Sequence, residues 1–160
     1  MGDAARRVIA LDVGDARIGV AVSDPTGTIA QPIEVYKRVG YGPDCKYVLA
    51  LSERFHTDLL VLGLPLHMDG TRGHQAQKVL AFGQVLENAG LQIDYQDERL
   101  TTKTAEKALI DSRIRREKRR QTVDKLAAAV ILEQWLAGGG RIGSAVRSRY
   151  AGERYDNQNE

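Results

Sequence analysis

Apolar residues in the first third of the chain follow a strand-like spacing and then change to a helical one. Three short runs at residues 8–13, 18–23 and 29–36 are joined by turns that contain glycine or proline, which predicts an antiparallel meander. After Pro43, apolar side chains repeat at helical spacing up to Phe55, and a fully apolar strand follows at 59–62. This strand–helix–strand order predicts a parallel crossover.

The second half of the chain repeats the alternation of helix and strand. We expect a helix at 74–88, a strand at 91–95, a helix that begins at Thr101 or Thr102 and runs to about residue 110, and a final helix at 122–136. Five strands with flanking helices predict an α/β fold with a mixed sheet whose first three strands are antiparallel.

One residue of the first predicted strand breaks its apolar pattern. Asp12 lies within the run 8–13, where every neighbour is aliphatic. A carboxylate in a strand covered on both faces loses hydration that only a partner, a metal ion or a proton can restore. Gly14 follows closely and would let the backbone run near whatever Asp12 holds. Asp12 is therefore the first candidate for a functional residue.

Two further acids interrupt local patterns and extend this hypothesis. Glu98 comes just after the last strand, and ligands of α/β sheets bind beyond the carboxyl ends of the strands. Asp124 begins the final helix and shares a helical face with Ala127 and Ala128. Adjacent carboxylates repel one another unless a hard cation such as Mg²⁺ or Mn²⁺ separates them, and two such ions can hydrolyse a phosphodiester. The three acids predict a site for two divalent ions.

Each of these two acids also has a simpler interpretation when taken alone. Asp124 could be a helix-start residue favoured by the helix dipole. Glu98 and Arg99 could form a surface ion pair. The combination of the three acids is more specific than any one of them.

Length and composition set the general class of protein. A chain of 160 residues with 42% hydrophobic content suits one globular domain, which we place at residues 1–137, followed by a polar, flexible tail at 138–160. No apolar run approaches the length of a membrane-spanning helix. A single cysteine, Cys45, excludes an internal disulfide framework and fits a reducing compartment. We therefore expect a cytoplasmic protein without a membrane segment.

The positive charge of the chain lies late in the sequence. Residues 113–160 hold 11 Lys/Arg against 6 Asp/Glu, and much of the excess falls in the run 113–120. Such a run could be a solvated loop. Because it leads into Asp124, we expect it to neutralise phosphates beside the metal site. The predicted nucleic-acid contacts are Arg17, Thr101, Thr102, Arg113, Arg115, Arg116, Lys118, Arg119 and Arg120.

Four blocks of the sequence together resemble one family. They are LDVG at 11–14 with RIGVA at 17–21, GLPL at 63–66 with MDGT at 68–71, DERLTT at 97–102, and VD at 123–124 with the apolar residues that follow it. In this order they resemble the RuvX family, also called YqgF, of RuvC-like nucleases with an RNase H-type fold. One departure is His67, at a loop position where the family commonly has Asn.

The resemblance implies both residue roles and a function. Asp12, Glu98 and Asp124 would be the metal-binding catalytic acids of an RNase H-like nuclease. The substrate would be structured nucleic acid, either the 5′ end of the 16S ribosomal RNA precursor or a Holliday junction. Resolving a junction takes two symmetric cuts and therefore a homodimer, whereas trimming a precursor needs one site and a monomer suffices.

Two other classes of function compete with a nuclease. An actin-like phosphotransferase also begins with a strand acid and a glycine turn, but the chain is too short for the second lobe that such enzymes require. A non-catalytic nucleic-acid-binding module would need only the basic run. That interpretation leaves Asp12 unexplained.

Overall fold

A computed structural model describes residues 7–98 and 116–138, with side chains for 7–98 and 125–138. Eight elements follow one another along these residues: β1 (Ile9–Val13), β2 (Arg17–Ser23), β3 (Ala30–Lys37), α1 (Tyr41–Arg54), β4 (Leu59–Leu64), α2 (His74–Asn88), β5 (Gln92–Asp97) and α3 (Arg116–Ala137). The described helices include none that is both long and apolar enough to cross a membrane.

The strands form one mixed sheet in the order β3-β2-β1-β4-β5. β1, β2 and β3 pair antiparallel, whereas β4 pairs parallel with both β1 and β5. The predicted α/β class, the meander and the parallel crossover are confirmed. As a result the carboxyl ends of β1, β4 and β5 meet at one edge of the sheet, which we call the carboxyl edge.

Alternate residues of the central strands point to two different layers. On one side, which we call the aliphatic face, Leu60, Leu62 and Leu64 pack with residues of α1 and α2. On the other side, which we call the α3 face, Ala10 and Val61 pack with residues of α3. This alternation follows from the two-residue period of a strand, and it decides which layer each polar residue faces.

The last helix differs from its prediction. α3 begins at Arg116, six residues before the expected start at 122, so most of the basic run is helical rather than a loop. Arg, Lys and Glu are good helix formers, and a helix can therefore extend through a run that has no apolar face. The helix predicted from Thr101 or Thr102 to about 110 and the tail beyond 138 lie outside the described residues.

Candidate metal centre

Asp12 is placed near the carboxyl edge by the pairing of β1. It lies opposite Gly19 of β2 and two residues after Ala10, so it shares the α3 face with Ala10. The side chain is partly buried. The acid that breaks the apolar pattern therefore lies in the space between the sheet and α3, close to the edge where ligands of α/β sheets bind.

Glu98 reaches the same space from the end of β5. Its backbone N–H donates a hydrogen bond to the carbonyl oxygen of Leu64, at 3.2 Å, which continues the parallel pairing by one residue. The Oε2 atom is buried and has no hydrogen-bond partner among the described residues. Burial, together with the negative charges of Asp12 and Asp97, raises the pKa of Glu98 to about 8.

Gly63 of β4 makes room for the Glu98 carboxylate. β4 lies between β1 and β5, and Gly63 follows Leu62, the partner of Leu11 in the parallel register. A Cβ atom at Gly63 would come within 2.6 Å of the Glu98 Oε2 atom and would also overlap the side chain of Ile131. A side chain at this position would therefore displace the Glu98 carboxylate or the end of the Ile131 side chain.

The third predicted acid, Asp124, lies in α3, but its side chain is outside the described part of the chain. Its position is one helical turn before Ala127 and Ala128, which are buried. The structure thus brings Asp12 and Glu98 together, and the role of Asp124 stays a prediction. Among the described side chains, no group of three or more His, Cys, Asp or Glu could hold a metal ion.

The donor set that is described fits a hard divalent cation. A buried carboxylate oxygen without a partner, beside a second carboxylate, is an unfavourable arrangement for two negative charges. Mg²⁺ and Mn²⁺ bind to such oxygen donors and remove the repulsion. Asp12 and Glu98 are therefore the residues that would hold an ion here, and a proton on Glu98 is the alternative in its absence.

The residues predicted to contact nucleic acid are described only in part. Arg17 begins β2 and is partly buried. Positions 116 and 118–120 lie in the first turns of α3, without described side chains. Thr101, Thr102, Arg113 and Arg115 lie outside the described residues. Their contacts with nucleic acid remain predictions.

An ion pair that the sequence analysis missed holds the turn after β1. Arg38 donates from Nε to the buried carboxylate of Asp44, at 2.9 Å, and from a terminal nitrogen to the carbonyl oxygen of Gly14, also at 2.9 Å. The Asp44 carboxylate also accepts hydrogen bonds from Tyr36 and Val39. The turn that follows Asp12 is therefore fixed from the aliphatic face. A buried acid in the first turn of α1 is a weak signal, and its partner cannot be identified without the fold.

A second missed contact ties α3 to the sheet. The indole N–H of Trp135 donates to the carboxylate of Asp94, at 2.8 Å, and both residues are buried. Trp135 itself belongs to the hydrophobic core of the α3 face. Asp94 and Gln92 alternate with apolar residues in the run 91–95, which predicts an exposed face for both, so the sequence carries no signal for the burial of Asp94.

Comparison with known proteins agrees with this architecture. The model of a family described as RuvX, Holliday junction resolvase, matches residues 6–138. A protein of Syntrophomonas wolfei is 40% identical over 134 residues, which cover 83% of this chain and 95% of that protein. One of Clostridium acetobutylicum is 44% identical over 131 residues, which cover 81% and 97%. Both carry the name "Putative pre-16S rRNA nuclease".

A solved structure shows the same fold at low sequence identity. The structure of Thermus thermophilus RuvC in complex with a Holliday junction substrate superposes with a TM-score of 0.53 at 19% identity, covering 84% of this chain and 96% of RuvC. The expected RuvC-like, RNase H-type fold is thereby confirmed. Taken with the match to residues 6–138, these similarities show that the chain belongs to the RuvX family.

Proposed function

We propose that this protein is a divalent-metal-dependent nuclease that hydrolyses phosphodiester bonds of structured nucleic acid, with Asp12, Glu98 and Asp124 as its metal-binding acids. The observation that carries the proposal is the Glu98 Oε2 atom, buried beside Asp12 without a partner among the described residues. A purely structural carboxylate would be exposed or hydrogen-bonded. The match to the RuvX family supports a nuclease as well.

Each described residue has a specific task in this proposal. Asp12 on β1 and Glu98 at the end of β5 would supply carboxylate oxygens from the two strands that flank β4, and Asp124 would add a third from α3. Gly63 leaves the space that the Glu98 carboxylate occupies. Bound Mg²⁺ or Mn²⁺, as one ion or two, would supply an activated water and stabilise the leaving oxygen.

Arg38 contributes to the proposed site without touching it. Its bond to the Gly14 carbonyl oxygen holds the turn after Asp12, so the Asp12 backbone needs little reorganisation when substrate binds. Arg38 is thus a positioning residue, and its guanidinium is held in place by the hydrogen bond that it donates to the Asp44 carboxylate.

The relatives favour ribosomal RNA as the substrate. Proteins 40% and 44% identical to this chain carry a name that refers to the 16S rRNA precursor. We therefore propose that the enzyme trims the 5′ end of that precursor, which places it in the cytoplasm. A second candidate is resolution of Holliday junctions by a homodimer, which the description of the family model favours.

Cleavage assays with two substrates test the proposal. Wild-type protein is incubated with Mn²⁺ and either a 16S rRNA precursor fragment that includes the 5′ leader or a synthetic four-way DNA junction. We expect Mn²⁺-dependent cleavage of the precursor, and cleavage of the junction instead would select the second candidate. Asp12→Asn is expected to abolish cleavage of either substrate while the protein remains folded.

A matched control distinguishes the loss of a metal-binding carboxylate from the loss of any other carboxylate of the protein. Asp58 precedes β4 at the opposite edge of the sheet, where its carboxylate accepts a hydrogen bond from the Gln92 side chain. Asp58→Asn retains an acceptor and is expected to cleave as the wild type does. Turnover by the Asp12→Asn protein, or none by the wild type with Mn²⁺, contradicts the proposal.

A further inference from the structure

Two cations lie directly opposite each other at the carboxyl edge, where β2 begins and β3 ends. Arg17, the first residue of β2, pairs with Lys37, the last residue of β3. Side chains at directly opposed positions lie close together, and like charges there are destabilising. Arg17 is partly buried and has contacts of its own, whereas Lys37 is exposed. No described carboxylate lies within ion-pair distance of Lys37.

Both cations lie on the face that carries Asp12. Ile18 and Val20 belong to the core of the aliphatic face, so the alternating residues Arg17 and Gly19 point to the α3 face. Gly19 is the partner of Asp12. Lys37 shares the face of its partner Arg17, while its neighbour Tyr36 packs against the aliphatic core.

The sheet geometry sets the spacing from Asp12 to the two cations. Arg17 lies one strand away and two residues nearer the edge, which puts its Cα roughly 8 Å from that of Asp12. Lys37 lies one strand further, about 12 Å from Asp12 by the same spacing. Long cationic side chains at these positions can reach successive phosphates of a strand that leaves the metal site across β2 and β3.

The last strand of the sheet, β5, has no such cation among its described residues on the α3 face. On β5, residues alternating with Asp94 point to the α3 face, and these are Gln96 and then Glu98. Neither is a cation. β2 and β3 therefore each carry a cation on the α3 face at this edge, whereas β5 does not, so the strands themselves favour phosphate contacts on the β2–β3 side.

We propose that Lys37, together with Arg17, binds backbone phosphates of the nucleic-acid strand next to the cleaved bond and directs that strand across β2 and β3. The inference rests on the proposed nuclease function, and it adds Lys37 to the substrate site. Each of the two cations would contact one backbone phosphate, and hydrogen bonds between such charged groups are stronger than those between neutral ones.

Salt-dependent binding tests this proposal separately from catalysis. Binding is measured with a fluorescent RNA stem bearing a single-stranded 5′ extension, in the Asp12→Asn background so that the probe is not cut. Adding Lys37→Ala is expected to make the slope of log K against log salt shallower by about 0.7, the change for one phosphate contact on a single strand. Lys37→Glu is expected to weaken binding further.

Lys46, an exposed lysine of α1 on the other side of the sheet, provides the matched control. Lys46→Ala is expected to leave the slope unchanged. An unchanged slope for Lys37→Ala, or an equal change for Lys46→Ala, overturns the proposal. A shallower slope for Lys37→Ala supports it even where the wild type proves unable to cleave, and that failure would count against the metal chemistry alone.

Discussion

The two faces of the central strands alternate along the same short stretches of sequence, yet one carries large aliphatic side chains and the other carries small residues and acids. The aliphatic face carries Leu60, Leu62 and Leu64 on β4, all fully buried. On the α3 face, the same strand carries Val61 and then Gly63, and its neighbours contribute Asp12 and Glu98. One face maximises buried apolar area, whereas the other gives up side-chain volume near the carboxyl edge so that two carboxylates fit there.

Because of this difference, residues that stabilise the fold and residues of the proposed site alternate along one strand. Large aliphatic residues contribute free energy of unfolding in proportion to the area they bury. Small residues and buried acids contribute little or oppose folding. A strand can carry both because its two faces pack against different layers, so a change on one face has little effect on the other.

Leu62 and Gly63 are adjacent residues on opposite faces, and substituting each by Ala gives the sharpest test. Gly63→Ala places a methyl group against the Glu98 carboxylate and Ile131. A shift of the Glu98 carboxylate by about 1 Å is expected to lower kcat by about 100-fold. Leu62→Ala is expected to lower the free energy of unfolding by about 2–5 kcal/mol and to leave kcat per folded molecule unchanged. Cleavage kinetics and denaturant unfolding measure the two effects.

Gly42 provides the control for this comparison. A Cβ atom there meets nothing within 4 Å. Because Gly42 lies in α1, Gly42→Ala is expected to leave kcat unchanged and to raise the free energy of unfolding by at most about 1 kcal/mol. Equal losses of activity for Gly63→Ala and Leu62→Ala would show that the two faces are not independent.

Asp94 and Glu98 sharpen the comparison within the α3 face. Both are acids from the same strand region, yet Asp94 accepts a buried hydrogen bond from Trp135, and Glu98 Oε2 has no partner among the described residues. Trp135→Phe leaves the Asp94 oxygen without that donor and is expected to cost about 1–3 kcal/mol of stability, with kcat per folded molecule unchanged. Chemical unfolding of the variant measures this loss.

A double substitution checks the cause of that loss. Asp94→Val combined with Trp135→Phe removes both polar partners, and part of the stability is expected to return. If the double variant is as unstable as the sum of the two single variants, the hydrogen bond does not explain the loss.

The sequence predicts most of the fold because each element has one dominant signal. The two-residue and helical periods identify β1 to β5, α1 and α2 with small errors at the ends, since tertiary packing decides the last residue of an element. The start of α3 was wrong because Arg116 and its basic neighbours carry no apolar pattern, although their helix propensity is high.

The candidate site is predictable only where a single residue contradicts its surroundings. Asp12 is an acid within an otherwise apolar strand, and Glu98 is an acid directly after a strand, at the edge where ligands of α/β sheets bind. The role of Gly63 depends on a carboxylate that is 35 residues away in sequence, and the role of Lys37 depends on the register of two strands. Such roles arise from three-dimensional contacts, which periodicity does not encode.

A calorimetric titration with Mn²⁺ tests the central claim, that Asp12 and Glu98 share a divalent ion, most directly. Burial and neighbouring negative charge raise the pKa of Glu98 from its ordinary value of 4.5 to about 8. In the absence of metal, the folded protein therefore binds a proton more tightly than the unfolded chain does. The stability due to this proton is complete below pH 4.5 and is lost as the pH rises through 8.

Mn²⁺ competes with that proton, so its affinity is expected to rise between pH 6 and pH 8 in this scheme. Glu98→Gln is expected to weaken Mn²⁺ binding at pH 8 by on the order of 100-fold and to remove the pH dependence, because a ligand oxygen with negative charge is lost. Glu53→Gln, at an exposed position of α1, is expected to bind as the wild type does. Wild-type affinity for Mn²⁺ in the Glu98→Gln protein would contradict the account.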